Sequence, residues 1–359
     1  QMLREKVLIA MSGGFDSTAA ACLLLKKGYE VMGLTLDMLD PDIVPMHPSP
    51  FTEQLSTAKS IAEKLGIQHH VIQVHQDFTK KVIDDFVTEY LVGRTPNPCI
   101  RCNRYIKWKF LAEKAGEFGC KYIATGHYAR KGSQGNACTI KKAVDTNKDQ
   151  SYFLWGLDQK ILEKTLFPLG NYKKSALKPL VWDAGLDMIM DKKESMEICF
   201  VPGNDYRALI RMYQPEITRK LSGGRFLDAT GEFLGNHKGY PFYTIGQRRG
   251  LEIAAGYPLY VQQIIPQTNT IILGNREKIY HKELSINNLN FIVPGKYTVP
   301  FFAKTKVRYN HTEKESWVYP ETESTLKIKF EKPVFAITPG QSAVFYNNDE
   351  LIGGGIIAS

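Results

Sequence analysis

Residues 11 to 28 read MSGGFDSTAAACLLLKKG, a glycine pair in a polar turn between an apolar run and an alanine–leucine stretch. Upstream, KVLIAM (Lys6 to Met11) is short, apolar and β-branched, and reads as a buried strand. Within SGGFDS, Gly13 and Gly14 permit positive φ and let the backbone approach a ligand closely. Asp16 or Ser17 is placed to cap the next helix, whose body is TAAACLLLKK and which ends at Gly28. Strand, glycine turn and helix together leave the N–H groups of a helix N-terminus free to hold an anion. No Gly-Lys-Ser/Thr follows, so this is not a Walker A loop. On these residues alone it is either an anion site or an ordinary tight βα turn.

Placed directly after the first strand, SGGFDS resembles the SGGxDS loop of the PP-loop pyrophosphatases, which cleave ATP between its α- and β-phosphates. The resemblance implies adenylation, in which AMP joins a substrate oxygen and pyrophosphate leaves. It puts Asp16 near Mg²⁺ and pyrophosphate, and Ser12, Gly13, Gly14 and Ser17 around phosphate oxygens.

The chain outward from this loop has the bulk of a multidomain protein: 359 residues, 43% hydrophobic and 23% charged. There is no low-complexity tract and no internal repeat. No apolar run approaches the roughly 18 residues that would span a membrane, and no secretory h-region is present. The net charge of +9 favours a polyanion such as nucleic acid as partner. Six cysteines (Cys22, Cys99, Cys102, Cys120, Cys138, Cys199) are too sparse for a secreted disulfide framework. A reducing, cytoplasmic location is the expectation, with clustered cysteines reactive or metal-binding.

The first ~130 residues alternate strand and helix. Glu30 to Leu36, His69 to Val74 and Lys121 to Gly126 read as strands. Thr52 to Gly66, Thr79 to Gly93 and Ile106 to Gly119 read as helices. This predicts an α/β fold with a parallel, doubly wound sheet, whose ligands bind at the carboxyl ends of the strands. Ser12–Ser17 and Gly126–His127 fall there. From about Asp205 turn signals become dense, and beyond roughly Leu284 come short alternating runs such as FFAKTKVRY, STLKIKF, VFAI, SAVFY and GGGIIA. The expected division is a catalytic domain over 1–205, a small α+β linking domain over 206–280 and a C-terminal β-barrel over 281–359.

GRTPNPCIRCNRYIKW (Gly93 to Trp108) is the second informative stretch. Two prolines and an asparagine predict a loop between helices that carries Cys99 and Cys102. Arg94, Arg101, Arg104 and Lys107 surround the pair, an environment that stabilises thiolate. The alternative is half of a structural zinc site, but the sequence has no second C-x₂-C or C-x₂-H. Cys199, in a short apolar run before a Pro-Gly turn, reads by itself as a buried core residue, as does Cys22. Cys120 and Cys138 read as structural, and His69, His70 and His75 show no metal-ligand spacing.

SGGFDS, GRTPNPCIRCNRYIKW, ATGHYAR, KDQSYFLW, EICF, GYPFYTIGQRRGL and TPGQSAVFYN occur in this order over nearly the whole chain. The set closely resembles the bacterial tRNA-specific 2-thiouridylases (tRNA-uridine 2-sulfurtransferases), members of the PP-loop superfamily. The resemblance implies that ATP adenylates the C2 oxygen of the wobble uridine, U34, in tRNAs for lysine, glutamate and glutamine. Sulfur then arrives as a persulfide and replaces that oxygen. Cys199 takes the place of the persulfide carrier and Cys102 that of the nucleophile that releases its sulfur, leaving a Cys102–Cys199 disulfide. Ala10, Met11, Ser12, Gly13, Gly14, Phe15, Asp16, Ser17, Leu36 and Gly126 fall at ATP contacts. Leu36 replaces the family's usual methionine near the adenine. Asn97, Pro98 and Cys99 fall on the target-base loop, and His127, Lys148, Asp149, Gln150, Arg308, Tyr309 and Gln341 at tRNA contacts. A cysteine desulfurase or persulfide relay is the implied sulfur donor.

One departure stands out: many members have aspartate where this chain has Cys99. Three thiols, Cys99, Cys102 and Cys199, then have the number needed to hold a [4Fe–4S] cluster with one open iron, a second possible chemistry. Basic residues in IRCNRYIKWK and QRRG suit phosphates, and the tyrosines and Trp108 are candidates to stack on bases. Two rivals remain: a PP-loop enzyme acting on a small molecule, which needs neither Cys102 nor Cys199, and an RNA-binding protein with a relic nucleotide loop.

Overall fold

The computed structural model describes residues 4–41, 50–190 and 198–358. Seven strands come from the first half: β1 (Lys6–Ala10), β2 (Glu30–Asp37), β3 (Gln68–Gln73), β4 (Tyr122–Ala124), β5 (Ala129–Gln134), β6 (Ala137–Lys142) and β7 (Thr165–Leu166). Five of them form a parallel sheet in the order β3-β2-β1-β4-β7. The order reverses between β1 and β4, so the crevice at their carboxyl ends is the topological switch point. The glycine turn leaves β1 there, and Thr125–Gly126–His127 leaves β4 beside it.

The sheet is covered on both faces, as parallel sheets are. Val7 and Ile9 pack with Ala19, Ala20 and Leu23 of α1 (Phe15–Lys26), and with Leu177 and Val181 of a later helix. Leu8, pointing the other way, joins Phe78, Phe86, Ile106, Trp108 and Leu111. The second helix, α2, spans Pro50–Leu65. Two long helical stretches follow. The first runs α3 (His75–Phe78), a π turn (Thr79–Ile83) and α4 (Asp84–Leu91). The second runs α5 (Pro98–Cys102), a π turn (Asn103–Lys107) and α6 (Trp108–Glu117).

The second stretch corrects an expectation: Cys99 and Cys102 are helical. Pro98 occupies the first helical position, where its missing N–H costs nothing and its fixed φ suits the helix. The connecting loop is therefore confined to residues 92–97. The domain is completed by α7 (Gln159–Lys164) and α8 (Lys174–Asp183).

The middle of the chain carries α9 (Tyr206–Tyr213), α10 (Pro215–Lys220), β8 (Gly224–Leu227), β9 (Phe233–His237), β10 (Tyr260–Ile265) and β11 (Thr270–Gly274), paired as β10-β11-β8-β9. The last strands are β12 (Tyr280–Phe291), β13 (Phe301–Lys306), β14 (Lys314–Pro320), β15 (Leu326–Phe335), β16 (Ser342–Asn347) and β17 (Glu350–Ile357). They run β12-β15-β14-β13-β16-β17, and β12 pairs with β17 to close the barrel. The β5–β6 hairpin of the first domain extends from β17, with Leu351 opposite Ile140. The catalytic and barrel domains thus share a sheet, which the sequence did not suggest. Two runs expected as separate strands, STLKIKF and VFAI, are one: β15.

Candidate active site

The glycine turn packs tightly. Gly13 has φ +70°, and a Cβ there would lie 2.7 Å from Gln54 O. Gly14, in an extended conformation, precedes α1 without any side-chain cap. Neither Asp16 nor Ser17 caps the helix, contrary to the sequence expectation, because the helix begins before them. The Ser17 and Thr18 hydroxyls instead donate back to Gly14 O at 3.1 and 2.9 Å, and Ser12 N–H donates to Ser17 Oγ at 3.3 Å. An uncapped helix start behind a glycine that admits no side chain fits a phosphate group. Gly126 closes the opposite wall: a Cβ there would lie 2.8 Å from both Asp16 C and Ser17 N.

Asp16 is held from two sides. Tyr128 donates its hydroxyl to Asp16 Oδ1 at 2.9 Å, and Lys174 Nζ lies 2.8 Å from the same oxygen. Lys174, at the start of α8, also sits 4.9 Å over the Phe15 ring. Sequence reasoning missed both partners; nothing local marks a lysine 158 positions downstream as the neighbour of Asp16. The carboxylate and its flanking turn suit Mg²⁺ with a polyphosphate. Met11 N–H donates to Leu34 O, and Met11 O accepts from Thr35 Oγ1 at 2.7 Å. Leu36, 7% exposed, is a core residue at the end of β2.

From Tyr128 the site continues toward the thiols. Gln150 brackets Tyr128, accepting its N–H through Oε1 at 3.0 Å and donating to its carbonyl at 2.9 Å. Asp149 accepts from Ala143 N–H and Ser151 Oγ, so both side chains act within the protein. Lys148 is half-buried beside them. His127 shares a hydrogen bond with Thr125 Oγ1 at 2.8 Å and packs on Trp108. Burial, with Lys107 adding to it, pushes His127 down to about 3, so the ring is neutral. Trp108 is 1% exposed and donates to Thr165 Oγ1. It is therefore a core residue and not a platform for bases, as its apolar neighbours on α6 dictate.

Cys99, Cys102 and Cys199 are all free thiols, and all three act electrostatically on Lys107. The π turn explains how Lys107 gets there. Trp108 N–H bonds to Asn103 O, five residues back, so an extra residue is wound into one turn and Lys107 returns toward the Cys102 face. Phe200, clamped edge-on against Phe78 and Phe86, anchors the loop bearing Cys199. Because Phe200 and Val201 take the core positions, Cys199 is exposed, correcting its reading as a core residue. Glu197 of the EICF motif lies outside the described residues.

Burial raises all three of these thiols. Cys102 is pushed to about 11 and Cys199 to about 12, while Cys99 rises with Lys107 opposing it. Solvent reaches Cys99 and Cys199, yet protein crowds them on their other sides and desolvates them. The expected ring of cations is not there. Arg94 pairs with Glu89 at 2.9 Å, Arg101 pairs with Asp85 at 2.8 Å, and Arg104 lies over Tyr105. Among the described residues, Lys107 is the cation that acts on the thiols. Among the described residues no three His, Cys, Asp or Glu side chains gather as metal ligands.

The barrel meets the helix carrying Cys99. Gln341 donates through Nε2 to Thr95 O at 2.9 Å and Pro96 O at 3.0 Å. Thr95 N–H donates to Pro339 O at 2.9 Å. Asn97 hydrogen-bonds Tyr152, whose hydroxyl donates to Ser342 O at 3.0 Å and whose ring lies near Tyr309. Arg308 donates to Ile245 O at 2.9 Å and to Thr338 Oγ1. Asn97, Arg308, Tyr309 and Gln341 thus meet where barrel, linking domain and helix converge.

Family models match in three consecutive parts: a tRNA methyl transferase HUP domain over residues 5–203, a tRNA methyl transferase PRC-barrel domain over 216–275 and an aminomethyltransferase β-barrel domain over 281–357. The tRNA-specific 2-thiouridylase of Pelotomaculum thermopropionicum is 43% identical over 364 residues, covering 100% of this chain and 98% of its own. The chain belongs to the tRNA-specific 2-thiouridylase family. A 2-thiouridylase of Thermoanaerobacter sp. is 45% identical over 361 residues, covering 99% of this chain and 98% of its own. That of Clostridium acetobutylicum is 42% identical over 364 residues, covering 99% and 100%. Among solved structures, NMN synthetase from Francisella tularensis aligns at 19% identity and a TM-score of 0.35, covering 59% of this chain and 78% of that one. Membership makes the chain an enzyme, a tRNA sulfurtransferase. No described helix of this family member is long and apolar enough to cross a membrane.

Proposed function

We propose that this protein is a cytoplasmic enzyme that 2-thiolates the wobble uridine, U34, of tRNAs for lysine, glutamate and glutamine. ATP binds with its phosphates in the loop Ala10–Ser17, its purine toward Leu36, and Gly126 at its side. The C2 oxygen of the uridine attacks the α-phosphorus and pyrophosphate leaves, so that a poor electrophile gains a good leaving group, AMP. Asp16 would hold Mg²⁺, which offsets charge on the departing pyrophosphate. Lys174, already at Asp16, supplies a fixed positive charge at the same end.

Cys199 receives sulfur from a persulfide donor and carries it as a persulfide. The Cys102 thiolate attacks Cys199 Sγ; the S–S bond to the terminal sulfur breaks, hydrosulfide leaves, and a Cys102–Cys199 disulfide forms. Hydrosulfide attacks C2 and displaces AMP. The uridine is splayed from the anticodon stack into the space by Asn97, Pro98 and Cys99, with His127, Lys148, Asp149, Gln150, Arg308, Tyr309 and Gln341 forming the surface around the tRNA. Thiols raised by burial stay protonated in the resting enzyme, which protects them until Lys107 favours one thiolate.

The observation that supports this reading is that Cys102 and Cys199, 97 positions apart, both act electrostatically on the Lys107 ammonium, which also acts on His127 next to Gly126. The test mixes the protein with ATP, Mg²⁺, a persulfide source and unmodified tRNA for glutamate. Thiolation lost in Cys102→Ala and Cys199→Ala supports the route. Full turnover in either variant rejects it.

A further inference from the structure

The reaction proposed above uses two thiols, but three share Lys107. Cys99 and Cys102 stand three residues apart in one helical stretch, on one face, with Cβ atoms about 5–6 Å apart. A disulfide brings Cβ atoms to about 3.5–4.5 Å, a closure small enough for the fraying first turn of a helix. The two differ in access: solvent reaches Cys99, whereas Cys102 is 5% exposed. Cys199 comes in on the loop before Phe200, where the charges of Cys102 and Cys99 act on it, and Cys99 acts on Cys102. The three thiols are the titratable groups that act on Lys107 among the described residues, and Lys107 acts on His127, just after β4.

We propose that Cys99 resets the enzyme: it opens the Cys102–Cys199 disulfide and moves the oxidation off the sulfur carrier onto the solvent-reached Cys99. This rests on the two-cysteine route above. The Cys99 thiolate attacks Cys102 Sγ, the Cys102–Cys199 bond breaks, and Cys199 leaves as a thiolate beside Lys107. A Cys99–Cys102 disulfide has formed, with no net change in electrons. A dithiol reductant then attacks the exposed Cys99 sulfur and closes to its own disulfide, supplying the two electrons and leaving Cys99 and Cys102 reduced. Direct attack by an external thiol on Cys199 would instead leave a mixed disulfide on the sulfur carrier. The route through Cys99 frees that carrier in its first step. An aspartate at this position cannot do this, so the device belongs to members with cysteine here.

The test is a disulfide map of the whole protein, oxidised with a stoichiometric amount of diamide, alkylated, digested and read by mass spectrometry. Wild type should yield both Cys102–Cys199 and Cys99–Cys102 linked peptides. On addition of dithiothreitol, Cys199 should become free before Cys102 does. In Cys99→Ser only the Cys102–Cys199 link should form, and dithiothreitol should open it about tenfold more slowly. A Cys102–Cys199 link without any Cys99–Cys102 link in wild type, or equal opening rates in the two proteins, overturns this inference alone. Absence of a Cys102–Cys199 link from every sample overturns the two-cysteine route and this inference with it.

Discussion

A methyl group on Gly126 tests how rigidly the nucleotide end is built. In Gly126→Ala the new Cβ falls 2.8 Å from Asp16 C, 2.8 Å from Ser17 N and 3.0 Å from Asp16 O. Carbon contacts are comfortable at about 3.5–4.0 Å, so the wall must retreat by most of an ångström. All three atoms are backbone at the first turn of α1, and no rotamer change relieves them. Overpacking of this kind costs about 1–3 kcal/mol. Moving the turn also moves the Ser12–Ser17 hydrogen bonds that shape it. If roughly half the strain is felt by the bound state, about 0.5–1.5 kcal/mol, affinity for ATP falls roughly two- to tenfold. The assay is calorimetric titration with a non-hydrolysable ATP analogue, run beside urea melts of both proteins. A drop in stability with unchanged affinity would mean that Gly126 packs on α1 but lies away from the nucleotide. Unchanged stability and affinity would refute the packing itself.

Lys107→Met removes the cation shared by the thiols; alkylation of Cys102 by iodoacetamide at pH 8 should slow about tenfold, for a rise of about one pKa unit, while Lys107→Arg keeps most of the rate. Equal rates in the Met variant would mean the ammonium does not act on Cys102. Stability should be greatest between about pH 6.5 and 9. Cys102, lifted from 9.0 to about 11 chiefly by burial, keeps its proton in the folded state while the unfolded chain loses it, so stability falls as pH rises from 9 toward 11. His127, lowered from 6.5 to about 3 chiefly by burial, stays neutral while the unfolded chain gains a proton, so stability falls as pH drops from 6.5 toward 3. Urea melts across pH should show Cys102→Ala flattening the alkaline limb and His127→Gln the acid limb; unchanged limbs count against these buried states. Gly340→Ala places a Cβ 2.8 Å from Thr95 O at a φ of +92°, and hydrogen exchange at residues 94–97 should accelerate, by about tenfold or more if ~1–3 kcal/mol of strain opens the clasp. ATP binding should persist, and unchanged exchange would show that the barrel turn does not hold that loop.

The glycine turn, the central strands and the order of motifs were legible because each is a local signal: a β-branched run, a glycine pair, an amphipathic helix. What was not legible depends on contacts. Pro96 and Pro98 read as loop, yet Pro98 opens a helix because the first helical position tolerates its lost N–H. Lys107 stands five residues after Cys102, a spacing that turns away from it on a regular helix, and only the π turn brings it back. Arg101 lies nearer in sequence and Arg94 is as close to Cys99 as Lys107 is to Cys102, but Asp85 and Glu89 on α4 claim them. The strand β12, YHKELSINNLNF, alternates too weakly to announce twelve residues of barrel wall. Cys199 sits among apolar residues in sequence, but two neighbours fill the core and leave it outside.

The same contacts link the candidate site to the barrel. In the proposed reaction, sulfide released as a free nucleophile is useful only where water cannot compete for the activated carbon, which requires that the thiols, the nucleotide and the target base be enclosed together. The catalytic domain supplies the thiols and the glycine turn, but the loop before Pro98 depends on Gln341 and Pro339 of the barrel for its hydrogen bonds. The barrel in turn is tied back through the β5–β6 hairpin that follows His127 and Tyr128. A displacement of the barrel therefore acts at once on the Asn97–Cys99 segment and, through Tyr128, on Asp16. The two ends of the proposed reaction hang on the same joint, so in that proposal tRNA seated across it has direct leverage on both adenylation and sulfur release.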